Sequence, residues 1–422
     1  MNSFAELGAS ARTLAALQRQ SIETPVSVQA EAIPPLMEGQ DVVMQAPTGS
    51  GKTLAFLIPL IRRMDQPGPG PRALIVTPTR ELAMQVEKVF RELDSGLKAA
   101  LLYGGVGYAT QTLALKRGAD VVIGTPGRTL DMVGRRLVSL SRVEYLVLDE
   151  ADEMLDAGFA PDVERILGLT YQPQMVLASA TMPDWVTRMI GKHMREPVRI
   201  EVELDEESLL EHGIVRVDRG QKLHTLSRLL RKHGGSAIVF GRTKHGVRKL
   251  NRELKALGHD SVELQGNLSQ TARDRTMEAF RHRRTDVLVA TNVAARGLDI
   301  THVRLVVNYE LPETPQWLTH RIGRTARMGE KGRALTFLSP EDLIAWRKLR
   351  SQGAPSLPEV DIRGLLEENT WRYLAQPAEP GPASVLSNQV PGNRPRPSSM
   401  PGRRRRGGGR GRYRPPPVVR EA

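Results

Sequence analysis

Short, wholly apolar runs alternate with amphipathic stretches along most of this chain, and few architectures tolerate that pattern. DVVMQA is followed by KTLAFLIPLIRRM, ALIVTP by RELAMQVEKVFREL, and DVVIGT by GRTLDMVGRRL, with YLVLDE and MVLASA completing the series. Runs that are apolar on both faces suit central strands of a parallel sheet, and the amphipathic stretches between them suit the crossover helices that cover it. A second series opens with SAIVF and continues through TKHGVRKLNRELKALG, SVELQG, RDRTMEAFRH, DVLVAT and LVVNYE. The fold class expected is therefore α/β, with two parallel-sheet domains in tandem. The acidic stretch EVELDEESLLEHGIVRV separates them, which places a linker at 204–213 between domains at 1–203 and 214–350. A single continuous sheet is the alternative. An extension at 351–389, in which EDLIAWRKLR gives way to one further short helix around VDIRGLLEENTWRYLA, and a tail at 390–422 complete the organisation.

Charge and cysteine content narrow the function. The 422 residues include 60 Lys and Arg against 47 Asp and Glu, a formal +13, and no cysteine. Thiolate zinc sites, iron–sulfur clusters, disulfide frameworks and cysteine nucleophiles are excluded together. The N-terminal stretch has no basic segment leading into a long apolar run, and no apolar run approaches the roughly 18–20 residues that span a bilayer. A cytoplasmic location is expected. About two thirds of the positive charge is concentrated in VPGNRPRPSSMPGRRRRGGGRGRYRPPPVVREA, where ten Arg and one Glu give +9 and leave only +4 for residues 1–389. Arg, Gly and Pro dominate that tail, so it is expected to be disordered when free and to act as a nonspecific nucleic-acid tether through phosphate contacts and stacking on Tyr413, with an anionic membrane surface or simple solubility as the alternatives.

The sharpest local pattern is Ala46-Pro47-Thr48-Gly49-Ser50-Gly51-Lys52-Thr53, between a strand candidate and a helix candidate. In that context it reads as a phosphate-binding loop. Gly49 and Gly51 let the backbone wrap a phosphate, and the helix opening near Lys52 directs its N–H groups at the anion. Lys52 suits the β and γ phosphates of ATP, and Thr53 suits Mg²⁺. Asp149-Glu150-Ala151-Asp152 closes the apolar run YLVL, so its carboxylates emerge at the carboxyl edge of the sheet, beside the loop. Asp149 suits the Mg²⁺ shell and Glu150 suits polarising a water.

With these residues in place, the chain resembles the DEAD-box RNA helicases over about residues 4–340. PTRELA (78–83), Gly104-Gly105, TPGR (125–128), SAT (179–181), ATNVAARGLD (290–299) and HRIGRTAR (320–327) follow in the family's order. The resemblance implies two RecA-like domains, ATP and Mg²⁺ as cofactors, and RNA-stimulated ATP hydrolysis coupled to local, sequence-independent unwinding of short RNA duplexes. By the same resemblance Gln29 reads adenine, with Phe4 stacking on it. Asp152, Ser179, Thr181, His320 and Arg321 couple the domains, Arg324 and Arg327 reach the γ phosphate, and Asp299 lies near the ribose. RNA would meet Thr79, Arg80, Gly104, Gly105, Thr125, Gly127 and Arg128 in the first domain, and Gly266, Gln270, Arg273 and Thr291 in the second. Small residues, hydroxyls and arginines suit a phosphodiester backbone, and contacts to 2′-hydroxyls would favour RNA over DNA.

The chain departs from the family pattern at Ser21 for Gly, Val26 for Thr, Gln265 for His, Asn267 for Asp, Asn292 for Asp and Ala326 for Gly. Ser21 and Val26 bear on adenine selectivity, and the others on coupling. Two competing readings are an ATP-regulated RNA clamp or annealing protein dominated by the tail, and a DNA translocase.

Overall fold

A computed structural model of the chain describes residues 3–364 apart from 48, 65–67, 203–209, 296–299, 301, 326–330 and 363. Thirteen strands among these residues form two sheets. The first contains β1 (Val42–Gln45), β2 (Ala73–Val76), β3 (Ala99–Leu102), β4 (Val121–Gly124), β5 (Tyr145–Asp149), β6 (Gln174–Ser179) and β7 (Val198–Glu201), in the order β3-β4-β2-β5-β6-β1-β7. The second contains β8 (Leu210–Arg216), β9 (Ala237–Gly241), β10 (Ser261–Leu264), β11 (Val287–Thr291), β12 (Leu305–Asn308) and β13 (Gly332–Leu338), in the order β10-β11-β9-β12-β13-β8. Every strand pair is parallel. The chain therefore builds two sheets and not one.

The apolar runs of the sequence split between the two faces of each sheet. In the first sheet, Val42, Met44, Ile75, Ile123 and Val147 join one core, while Val43, Leu74, Val122, Leu146 and Leu148 join the other. In the second, Ile238, Phe240, Leu288 and Val306 face one core, and Val239, Val289, Val307 and Phe337 the opposite one. Side chains alternate across a strand, so a strand between two helical layers needs an apolar residue at every position.

Four strands depart from the sequence reading. β3 is alanine-rich, β7 and β8 are half-exposed edges with charged residues, and the fully buried β13 carries Arg333. Arg333 is accommodated by an ion pair with Glu211 of β8, its Nε donating to the carboxylate at 2.6 Å. That pairing draws Leu210–Gly213 into the second sheet, so these four residues, read from sequence as linker, are strand. The second domain also continues past 350. Val360 donates its N–H to Ile214 and Ile214 donates its own to Pro358, which lays 358–360 along β8, and Ile362 and Gly364 just beyond are helical, where the sequence suggested a short helix. Residues 365–389 of the extension and the tail lie outside the described residues. No helix among the described residues is long and apolar enough to cross a membrane.

Candidate nucleotide and nucleic-acid site

Strand order sorts the chemistry along the carboxyl edge of the first sheet. The phosphate loop follows β1, Asp149 ends β5 and Ser179 ends β6, and these three strands are neighbours. PTRELA, Gly104-Gly105 and TPGR follow β2, β3 and β4, which are the other three neighbours at the opposite end. One edge thus carries two adjacent stations.

At the first station, Gly51 caps the helix Lys52–Arg63 with φ +97°. A Cβ there would lie 2.7 Å from Gln29 Nε2 and 2.9 Å from Val26 Cγ2. Gln29 is buried, its Oε1 accepting from the Val26 N–H at 3.0 Å and its Nε2 donating to the Gly51 carbonyl at 3.1 Å. The side chain expected to read a base is thereby tied to the phosphate loop. Gly51→Ala meets both a left-handed backbone and a crowded Cβ, whereas Gly49 has φ +91° with nothing within 4 Å. A strained backbone costs about 1–3 kcal/mol. Gly51→Ala is expected to weaken ATP binding more than Gly49→Ala, measured by nucleotide titration, and equal losses would remove the contact with Gln29 from the account.

Lys52 is buried, with Nζ donating to the carbonyls of Ala46 at 2.5 Å and Pro47 at 3.0 Å, and it lies 3.7 Å from Glu150 Oε1. The buried Ser50 hydroxyl finds no partner among the described residues, and Thr53 stands at the second position of the helix. Asp149 is fully enclosed, and burial, with Glu150 adjacent, pushes its carboxyl up to about 7 against the pull of Lys52. A buried carboxyl in that state gains from a divalent cation. No cluster of three or more His, Cys, Asp or Glu that would cage a metal occurs among the described residues. Oxygen donors in such small number fit Mg²⁺, which binds through one or two carboxylates together with phosphates. Glu150 holds a left-handed φ of 53° at the strand-to-helix turn, a conformation that costs a non-glycine residue energy and concentrates at functional sites.

The SAT segment grips the DEAD segment directly. Asp152 Oδ2 accepts from the Thr181 N–H at 2.8 Å and its hydroxyl at 2.7 Å, while Ser179 Oγ accepts from the Asp152 N–H at 3.2 Å and donates to the Thr181 carbonyl at 2.7 Å. Burial alone would raise the Asp152 pKa, but the bonds from His320 and Thr181 outweigh it and hold the carboxylate below its usual range.

His320 comes from the second domain, in the helix Pro315–Ile322, with Nε2 3.4 Å from Asp152 Oδ2 and Nδ1 4.0 Å from Glu153 Oε1. Burial lowers its pKa, yet the facing carboxylates of Asp152, Glu153 and Glu150 raise it by more. Arg324 follows, donating from Nη2 to Glu153 Oε1 at 3.4 Å and from Nε to the His320 carbonyl at 3.2 Å. Arg321 turns the other way. It is 1% exposed and donates to Asn292 Oδ1, Asn308 Oδ1 and the Glu310 carbonyl, beside the Phe240 ring. These hydrogen bonds lie inside the second domain, which corrects its expected place between domains. Burial among neutral amides pulls its pKa down to about 9.

Phe4 is 2% exposed within the first core, so it packs and offers no open face for stacking. Thr48, Asp299, Ala326 and Arg327 lie outside the described residues. At the second station, Thr79 caps the helix Arg80–Glu92, Thr125 precedes the helix Pro126–Gly134, and Gly104 and Gly105 have open space where a Cβ would point, as does Gly266 after β10 in the second domain. Gly127 is nearly as open, its closest neighbour being Asp162 Oδ2 at 3.9 Å, and Thr291 ends β11 with little exposure.

The arginines expected to meet RNA are largely engaged with protein. Arg80 donates to Asp274 at 2.8 Å and to Glu81 at 3.1 Å, and Arg273 donates to the same Glu81 oxygen at 2.6 Å and to the Ala294 carbonyl at 2.6 Å. Gln270 also donates to Asp274, at 2.6 Å. The two domains are therefore latched by Glu81 and Asp274. Arg128 donates to Gln111 Oε1 at 3.2 Å and the Val106 carbonyl at 3.1 Å, which fixes the Gly-Gly loop. Glu81, Glu153, Asp274, Asn308 and Gln111 were not singled out from the sequence. Glu81 and Glu153 sit inside or directly after named motifs, and that adjacency was the available signal.

Among the departures, Ser21 stands at φ +58°, a backbone position that favours the family's Gly. Val26 contributes its methyl against Gly51, and Gln265 is buried, accepting from the Asn267 N–H at 2.7 Å.

Two family models match in succession, DEAD/DEAH box helicase at residues 26–189 and helicase conserved C-terminal domain at 221–329. The ATP-dependent RNA helicase CshA of Listeria monocytogenes is 42% identical over 349 residues, 81% of this chain and 67% of that protein. The chain belongs to the DEAD-box helicase family. The ATP-dependent RNA helicase DeaD of Mycobacterium tuberculosis strain H37Rv is 41% identical over 87% of this DEAD-box chain, which spans just under two thirds of that relative, 66% of its length. Among solved structures, Saccharomyces cerevisiae Dbp5 bound to RNA and ADP BeF3 superposes with a TM-score of 0.78 at 30% identity, covering 89% of this chain and 100% of that one. A DEAD box protein of Methanococcus jannaschii is 36% identical with a TM-score of 0.53, over 85% and 99% of the two chains. The more identical DEAD-box structure superposes less well, so sequence distance does not set the agreement with the RNA-bound complex.

Proposed function

We propose that this chain is an RNA-dependent ATPase and RNA helicase whose two domains act in the arrangement seen here. The observation that carries the reading is the meeting of His320 and Arg324 with Asp152 and Glu153, which sets second-domain cations on first-domain carboxylates one helical turn from Asp149 and Glu150. In this reading the loop from Thr48 to Thr53 cradles the phosphates of ATP, with Lys52 leaving its carbonyl partners for the anion, and Gln29 reports on the base. Asp149 and Thr53 would hold Mg²⁺, which supplies charge neutralisation to the phosphate oxygens. Glu150 takes a proton from the attacking water, and Arg324, joined by Arg327, stabilises charge as the γ phosphate departs. Phosphoryl transfer is catalysed chiefly by positioning and electrostatics, so a site assembled from two domains is active only when they meet.

RNA would run over Gly104, Gly105, Gly127 and the N-terminus of the helix Pro126–Gly134, and then over Gly266 and Thr291. Arg80 and Arg273 contribute mainly by latching the domains through Asp274 and Glu81, so RNA seated at the second station favours closure at the first. Bending one strand there is incompatible with continuous duplex, which accounts for local unwinding. A cytoplasmic location agrees with these roles.

The test is ATP hydrolysis with and without single-stranded RNA, together with displacement of a short RNA duplex. Strong stimulation by RNA, weak stimulation by DNA and ATP-dependent displacement are expected. Equal turnover in the absence of nucleic acid would overturn the reading, and annealing that ignores ATP and vanishes with residues 390–422 would favour the clamp.

A further inference from the structure

Beyond the motif residues, the outer end of the first sheet carries a cluster of guanidinium groups around an exposed aromatic ring. Tyr108 opens the helix Ala109–Lys116 after β3, and its side chain is partly exposed. The guanidinium carbon of Arg128 lies 4.4 Å from the ring centre and that of Arg135 lies 4.2 Å from it. Asp131 joins the group, accepting from Arg135 Nε at 2.9 Å and lying 3.8 Å from Arg128 Nε. Arg128 is nearly buried, whereas the Arg135 side chain is 52% exposed. The inner arginine is spent on the Gly-Gly loop, and the outer one remains at the surface.

We propose that Tyr108 and Arg135 form an additional RNA contact, a stacking and phosphate platform beyond the Gly-Gly loop. It rests on the RNA reading above and extends it by naming where the strand goes next. β3 and β4 lie at the end of the sheet farthest from β1, so a strand crossing the Gly-Gly loop and the TPGR helix away from the nucleotide arrives at this platform. A guanidinium stacked on an aromatic ring keeps its charge and outward N–H groups available to a phosphate, and the outer face of Arg135, backed by the Tyr108 ring, offers a stacking surface to a base of any identity. The Asp131 contact orients Arg135 without burying it. Such a platform grips a flanking nucleotide independently of sequence.

The experiment compares the full chain and its variants on two RNAs, one of about 5 nucleotides and one of about 12, both within the roughly 4–16 nucleotides of single-strand binding sites. Salt dependence of affinity is read for each. Arg135→Ala is expected to lower the slope of log K against log salt by about 0.7 on the longer RNA and to leave the shorter one unchanged, the value for one single-strand phosphate contact. Tyr108→Ala is expected to weaken the longer RNA about five-fold or more, and Tyr108→Phe to restore it, as loss and retention of one stacking surface require. An unchanged slope on the longer RNA overturns the platform. Equal losses on both RNAs would reduce Tyr108 to a prop for the Gly-Gly loop and overturn it as well. RNA binding unaltered by either variant, with loss of retention on an acidic peptide resin, would assign the surface to a protein partner. If the unaltered chain binds neither RNA, the RNA reading itself falls, an outcome distinct from a variant that matches a binding wild type.

Discussion

Arg324→Ala is expected to lower RNA-stimulated ATP hydrolysis by at least about 10²-fold, a cautious figure against the 10³ to 10⁵ attributed to an arginine that stabilises phosphoryl transfer, because Arg327 remains in the chain. Two effects combine. The variant removes the cation proposed to face the γ phosphate, and it also strips buried Glu153 of the guanidinium 3.4 Å away. Removing one member of a buried pair costs about 3–5 kcal/mol, since the remaining charge stays desolvated. That second cost falls only on the closed state, so the concentration of RNA needed for half-maximal rate should rise along with the fall in turnover. Glu153→Gln separates the two effects. If Arg324 chiefly serves the phosphate, Glu153→Gln is the milder variant in turnover; if it chiefly anchors closure, the two are alike. Steady-state rates over a series of RNA concentrations decide this, and unchanged turnover in Arg324→Ala would remove it from the catalytic set.

Glu150→Gln is expected to be nearly as severe for a different reason. Glu150 is buried, fixed at a left-handed backbone position, and 3.7 Å from Lys52, so its direction is set before any substrate arrives. An amide preserves the shape but cannot take a proton. General-base catalysis contributes about 10² to 10⁴-fold, and the variant should lose a rate factor in that range while still binding ATP and RNA together. Removing one negative charge beside Asp149 also relieves the repulsion that helps to raise the Asp149 pKa. Nucleotide affinity should therefore hold or improve. Retention of RNA by the ATP-bound variant, followed by gel shift, reads this directly; hydrolysis at the wild-type rate would place water activation elsewhere.

What was legible in the sequence follows distance along the chain. The placement of the phosphate loop after β1 and of Asp149 and Glu150 at the end of β5 was readable because each needs only its own strand end and the turn after it. Two separate sheets were also readable, since strands buried on both faces must be apolar throughout. The latch of Glu81 with Arg273 was not, because its partners stand 192 residues apart and meet only when the two domains do. Arg80 and Arg273 were read as RNA contacts for a chemical reason: a guanidinium suits a phosphate and a carboxylate equally, and sequence does not say which is nearer. β13 was missed because Arg333 interrupts its apolar run, and only its ion pair with Glu211 makes that position tolerable. β8 was missed because it is an edge, where charge and partial exposure look like a connector. Phe4 was read as a stacking ring, although the same residue type serves a core equally well, and burial decided the matter.

The way the sheets are closed also bears on how the chain is made. β8, the first strand of the second sheet, pairs along all seven residues from Leu210 to Arg216 with β13, the last, from Gly332 to Leu338. β1, which leads into the phosphate loop, is flanked by β6 and β7, the last two strands of its own sheet. A polypeptide emerging from the ribosome, at about 5–20 residues per second, must therefore hold each opening strand unpaired until the final strands of that domain are synthesised. The nucleotide site matures only when the first domain is whole, and a nascent chain stalled before Gly332 would expose β8 as an open edge, the form of unfinished protein that chaperones and proteases recognise.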